Sequence, residues 1–143
     1  MMTFPRRYFA YGSNIVRRQM THRCPDARAL GLARLDGWGF RIMTRGFATI
    51  VPDPAAHVLG VVWLLTPACE VALDRYEGVA RGLYAKHALP VDGEETLVYV
   101  ASDVEPGGPK PGYLEAIVAA AADWAFPPDY VKGLRTWLSG GLA

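Results

Sequence analysis

Residues 6–14 read Arg6-Arg7-Tyr8-Phe9-Ala10-Tyr11-Gly12-Ser13-Asn14. An apolar, aromatic run that stops at a glycine predicts a buried strand over 6–11 and a turn at Gly12. Ser13 or Asn14 then caps a helix over 15–22, which ends near Pro25. Strand, glycine turn and helix start in direct succession point free backbone N–H groups into one place, with the positive end of the helix dipole behind them. Such a corner can hold a carboxylate or a developing oxyanion. It is equally the shape of an ordinary capped strand–turn–helix.

Beyond this corner, apolar pieces at 27–35, 39–44, 48–51 and 57–65 are separated by Gly and Pro, which favours strands. Thr66-Pro67 starts a helix, with a capping hydroxyl followed by proline at the first helical position. That helix runs to about Glu77 and stops at Gly78. Strands over 83–90 and 94–100 are joined by a hairpin turn at Asp92-Gly93. A Pro/Gly loop over 105–112 precedes an Ala-rich helix over 113–126. A last helix starts at Pro128-Asp129 and reaches about residue 138. Six or seven strands and four helices, intermixed and joined by short connections, predict an α+β fold. Its sheet is mostly antiparallel, with closure into a small barrel as an option. The chain of 143 residues suits one domain.

Composition narrows the function classes. Hydrophobic residues make up 51% and charged residues 20%, enough apolar side chains for a core without disulfides or metals. The net charge of +1 is too small for a whole-molecule polyanion binder. Residues 1–45 do hold nine Arg against only Asp26 and Asp36. These arginines are scattered over several predicted elements with no nucleic-acid motif, so they read as solvated surface with a few ion pairs.

Cys24 and Cys69 are too few for a disulfide framework, and no CxxC is present. The first residues lack a signal-peptide core, and no apolar run approaches the ~20 residues of a membrane span. A cytoplasmic location with no membrane contact is expected. His22, His57 and His87 are too far apart for paired metal ligands, and no P-loop is present. Gly37-Trp38-Gly39 lacks the third glycine of a dinucleotide fingerprint. No metal or cofactor is expected.

A second constellation is Leu73-Asp74-Arg75-Tyr76-Glu77-Gly78-Val79. Helix C-termini favour cations, so Glu77 faces the unfavourable end of the dipole. If it is also buried, both effects favour the neutral acid and raise its pKa from ~4.3. A carboxyl that titrates near neutrality suits general acid/base work. An exposed Glu on a frayed last turn is the alternative.

Together, Tyr8-Phe9-Ala10-Tyr11-Gly12-Ser13-Asn14 and Glu77-Gly78-Val79-Ala80-Arg81-Gly82-Leu83-Tyr84, with Gly60-Val61-Val62-Trp63 between them, resemble the γ-glutamylcyclotransferase-like family. That family takes in γ-glutamylcyclotransferases, γ-glutamylamine cyclotransferases and AIG2-like proteins. The resemblance implies a small mixed β-barrel flanked by helices. It also implies cyclisation of a γ-glutamyl amide to 5-oxoproline with release of an amine or amino acid. By it, Glu77 matches the catalytic acid/base. Tyr8, Phe9, Ala10, Tyr11, Gly12 and Ser13 match the substrate-binding loop, and Tyr113 matches a substrate-contacting tyrosine. Tyr84 is a further candidate for substrate contact. Many relatives read Pro-Ser-x-x-Tyr before the late tyrosine, whereas this chain reads Pro109-Lys110-Pro111-Gly112-Tyr113.

The implied partner is a small γ-glutamyl amide, with no nucleic acid, and oligomeric state is left open between monomer and homodimer. Two other functions compete. One is a non-catalytic module binding a small ligand or partner on the same fold. The other is a hydrolase with Ser13 as nucleophile, although the surrounding pattern is not GxSxG.

Overall fold

The structure is a computed structural model and describes residues 3–139. Five strands form one sheet: β1 (Arg6–Ala10), β2 (Arg28–Ile42), β3 (Ala48–Leu65), β4 (Tyr84–Val91) and β5 (Glu94–Ala101). Four helices flank it: α1 (Arg17–Arg23), α2 (Pro67–Tyr76), α3 (Tyr113–Asp123) and α4 (Pro128–Arg135). Strand order is β2-β3-β1-β5-β4. Every pairing is antiparallel except β1 with β5, which run parallel. The α+β class and the four helices are as expected.

The strand count and the barrel differ from expectation. The pieces at 27–35 and 39–44 are one strand, β2, and those at 48–51 and 57–65 are one strand, β3. The register of β2 on β3 shifts between Ala29 and Gly31 and between Asp36 and Trp38. Gly31 and Gly37 supply the positive φ angles, +115° and +83°, at these irregularities. β2 and β4 are the two edges of the sheet and do not pair with each other among the described residues, so the sheet is not closed. Its edges meet where the Asp92 N–H donates to the Arg34 carbonyl at 3.0 Å, and where Trp38 and His87 rings lie 6.4 Å apart.

Both faces of the central strands are buried. Along β1, Tyr8 and Ala10 face the helices while Phe9 packs on the opposite side; β5 likewise sends Leu97 and Tyr99 one way and Val98 and Val100 the other. The helical side adds Ile15, Met20, Leu73, Leu114 and Ile117, all fully buried. Each such side chain contributes about 1.5–3 kcal/mol by leaving water. Two-sided burial explains why these strands read as continuous apolar runs.

Helix α2 is fixed at both ends. The Thr66 hydroxyl accepts the Cys69 N–H at 3.2 Å, as its sequence predicts. Along its length Lys86 Nζ of β4 donates to Asp74 Oδ2 at 3.0 Å and to Glu70, which Arg6 of β1 also holds at 2.5 Å. The Tyr99 hydroxyl of β5 donates to Asp74 Oδ1 at 2.7 Å. These bonds pin α2 to three strands just before its C-terminus. Among the described residues no helix is long and apolar enough to cross a membrane.

Candidate active site

Glu77 is the C-terminal cap of α2, with its N–H bonded to the Leu73 carbonyl at 2.9 Å. Gly78 follows at φ +64°, where a Cβ would stand 2.8 Å from Leu83 Cδ1. Glycine takes this left-handed exit without strain, and it sets the Glu77 side chain at the wall of a cavity of about 370 Å³. The side chain makes no hydrogen bond or ion pair among the described residues. Burial pushes its pKa up from 4.5 to about 7, against the opposing charges of Arg23 and Arg45. Of the two causes foreseen, burial is the leading one.

The sheet and helices bring most of the candidate residues around this carboxyl. Tyr8, Phe9, Tyr11, Gly12, Ser13, Tyr84 and Tyr113 all line the cavity with Glu77. Ala10 does not: it is 1% exposed in the core on the helical side, and its methyl is too short to reach the cavity as Tyr8 does from the same face.

The corner after β1 also differs from expectation. Gly12 leads into a short 3-10 turn, Ser13–Ile15, and α1 starts only at Arg17 with no side-chain cap. The dipole of a long helix therefore does not stand behind the loop. Asn14 is buried and turned inward instead. Its Nδ2 donates to the Tyr8 hydroxyl at 2.9 Å, and its Oδ1 accepts from Gln19 at 3.2 Å and Arg23 at 3.1 Å. Among the described residues the Gly12 and Asn14 N–H groups have no backbone acceptor, and Ser13 lies against the Tyr113 hydroxyl. The loop thus keeps local donors without a helix behind it.

The tyrosines divide by where their protons go. Tyr11 donates to the Tyr99 carbonyl at 2.5 Å and Tyr84 to the Ala48 carbonyl at 2.7 Å, so both hydroxyl protons are committed to backbone. The Tyr113 hydroxyl instead accepts the Ala48 N–H at 3.1 Å, and the Tyr8 hydroxyl accepts from Asn14. Among the described residues neither of their own protons has an acceptor, which leaves both to a ligand. Burial raises all four phenols, Tyr113 to about 12, so all are neutral donors at physiological pH.

Several cavity residues escaped the sequence reading, among them three arginines, Arg23, Arg45 and Arg81. Arg23 and Arg45 belong to the arginines assigned to solvated surface, yet both line the cavity and act on Glu77. The excess of arginine before residue 46 was the available signal; nothing in it singles out these two. Lys110, the departure from the expected Pro-Ser-x-x-Tyr pattern, acts through backbone: its N–H donates to the Gly46 carbonyl at 3.1 Å and its carbonyl accepts the Tyr113 N–H at 3.0 Å. The departure from the family pattern thus sits beside the turn that carries Arg45.

Comparison with known proteins agrees with the geometry. Residues 57–134 match the model of the AIG2-like family. The chain is 31% identical to human γ-glutamylcyclotransferase over 90% of its own length and 76% of the relative's. It is equally similar, at 31%, to the bovine γ-glutamylcyclotransferase, covering 77% of it. A solved structure of a γ-glutamyl cyclotransferase superposes with a TM-score of 0.83 at 29% identity, over 91% of this chain and 86% of that one. On the family match and this identity over most of both sequences, the chain belongs to the AIG2-like, γ-glutamylcyclotransferase family of enzymes.

Proposed function

We propose that this protein cyclises a γ-glutamyl amide to 5-oxoproline and releases an amine, with Glu77 as general acid/base and the 8–13 segment binding substrate. The observation that carries this reading is an unpartnered carboxyl with a pKa of about 7, facing the same cavity as the loop donors.

The chemistry follows from those groups. The substrate's α-ammonium loses a proton to the Glu77 carboxylate, and the freed amine attacks the γ-carbonyl carbon. Negative charge collects on the former carbonyl oxygen, where the Gly12 and Asn14 N–H groups can meet it. The C–N bond to the leaving amine then breaks as Glu77 returns its proton to that nitrogen, and the ring nitrogen gives up its remaining extra proton to the departing amine, which leaves as the ammonium. The nucleophile belongs to the substrate, so Ser13 serves as a contact.

The protons left free on Tyr8 and Tyr113 suit the glutamyl α-carboxylate, while Tyr11 and Tyr84, tied to backbone, hold the shape of the wall. Folding the glutamyl chain so that its amine faces its own γ-carbonyl removes most of the entropic barrier to ring closure. Arg23 and Arg45 keep the Glu77 pKa from climbing further, so a useful fraction is ionised at neutral pH.

The test is a panel of γ-glutamyl amides assayed for 5-oxoproline and free amine in equal amounts. Release from at least one member, lost in Glu77→Gln, is expected. Binding of every member without release favours the non-catalytic module.

A further inference from the structure

We propose that this cavity selects γ-glutamyl amides whose leaving amine is a dicarboxylic amino acid, with Arg45 and Arg81 reading its charge. The inference rests on the cyclisation reading above. The cavity wall carries three arginines, Arg23, Arg45 and Arg81, against the single carboxyl of Glu77. Arg23 is engaged within the wall: it donates to Asn14 and its guanidinium lies 4.4 Å from the Tyr76 ring centroid. Arg45 and Arg81 make no ion pair among the described residues. Arg45 acts on Glu77 and on Asp103. Asp103 is outside the cavity wall and is held by the Thr44 hydroxyl and the Glu105 N–H.

The backbone beneath Arg45 is rigidly tied. Gly46 N–H donates to the Met43 carbonyl at 2.8 Å, Gly107 N–H to Ile42 at 2.8 Å, and Lys110 N–H to Gly46 at 3.1 Å. Arg81 comes from a different element, the 3-10 turn Val79–Arg81 that follows Glu77. A bound γ-glutamyl group is itself balanced. Its ammonium faces Glu77, and its carboxylate meets the neutral donors of the loop and tyrosines. Two guanidinium groups then remain for the leaving amine. An uncharged amine leaves both unmatched, a cationic one is repelled, and two carboxylates match both, each in the fork geometry that arginine favours.

The experiment compares kcat/KM for γ-glutamyl-aspartate, γ-glutamyl-alanine and γ-glutamyl-ethylamide at one pH, in low and high salt. Each added carboxylate is expected to raise kcat/KM about three- to tenfold in low salt. The spread should shrink in high salt. Arg45→Met and Arg81→Met should each pull the aspartate-to-ethylamide ratio toward one, with Arg45→Lys keeping part of it. The aspartate-to-alanine ratio, whose leaving amines are alike, should move in the same direction and cancels whatever Arg45 does through Glu77. Equal kcat/KM for the three substrates, or a ratio unmoved in both Met variants, overturns the assignment and leaves the cyclisation reading intact. No 5-oxoproline from any of the three overturns the assignment, and failure across the wider panel removes the cyclisation reading as well.

Discussion

Replacing Glu77 by Gln separates the chemistry of the carboxyl from its cost to the fold. Gln nearly keeps the shape but neither takes nor returns a proton, so turnover should fall on the order of a hundredfold to ten-thousandfold. The pH dependence of stability supplies the second readout. Burial raises the Glu77 pKa from 4.5 to about 7, so the folded state binds this proton more tightly than the unfolded chain. The resulting stabilisation is complete below about pH 4.5 and is lost as pH climbs through about 7. At about 1.4 kcal/mol per pKa unit, ionised Glu77 costs the native state on the order of 3 kcal/mol at pH 8.5. Glu77→Gln removes that cost. Its Tm should exceed that of the parent by about 10 °C at pH 8.5 and equal it near pH 4. The assays are 5-oxoproline release and thermal melts across this range. Full turnover in a folded Glu77→Gln protein refutes the acid/base role. A Tm difference that does not change with pH refutes the burial argument even if activity is lost.

Activity of the parent should rise with pH through an apparent pKa near 7, because the base form of Glu77 starts the reaction; a profile flat from pH 5 to 8 with chemistry rate-limiting counts against it. Gly12→Val should abolish turnover and cost about 1–3 kcal/mol in denaturant melts, since a Cβ there meets Ala48 Cβ at 3.1 Å and the Tyr113 hydroxyl at 3.2 Å. Ser13→Ala should keep far more activity than Glu77→Gln; equal loss, with labelling of Ser13 by a serine-hydrolase probe, supports the nucleophile instead. Tyr113→Phe and Tyr84→Phe should each cost about 1 kcal/mol of stability, one bond to Ala48 apiece, whereas kcat/KM should fall much further for Tyr113→Phe, which alone removes a free donor.

The parts of the fold that rest on local chemistry were legible. Thr66-Pro67 and Gly78 marked α2 because cap, proline and left-handed exit act within one turn of chain. Asp92-Gly93 marked the β4–β5 hairpin because both residues adopt positive φ, 49° and 80°. The long β2–β3 hairpin was hidden because Pro52 and Pro54 read as breakers. They are tolerated because β1 pairs with β3 only over 61–65, leaving the earlier part of β3 with a free edge. Asn14 read as a cap because its side chain suits one; its tertiary bonds to Tyr8 and Arg23 depend on chain brought in from elsewhere. Arg45 was invisible as a cavity residue for a similar reason: its turn is held in place by residues 107 and 110, far along the chain.

The strand order also bears on how the molecule assembles in time. β1 is made early, yet in the finished sheet it lies between β3 and β5, and its only parallel partner ends at Ala101. Contacts that distant in sequence form late, because a long loop must close before any pairing rewards it. Until β5 exists, β1 is held from the β3 side alone and α2 lacks the Tyr99–Asp74 bond, so the 8–13 loop and Glu77 are only half fixed against each other. The cavity therefore assembles with insertion of the central strand, as part of the global folding step. A chain cut before residue 94 lacks β5 and should neither bind 5-oxoproline nor resist proteolysis.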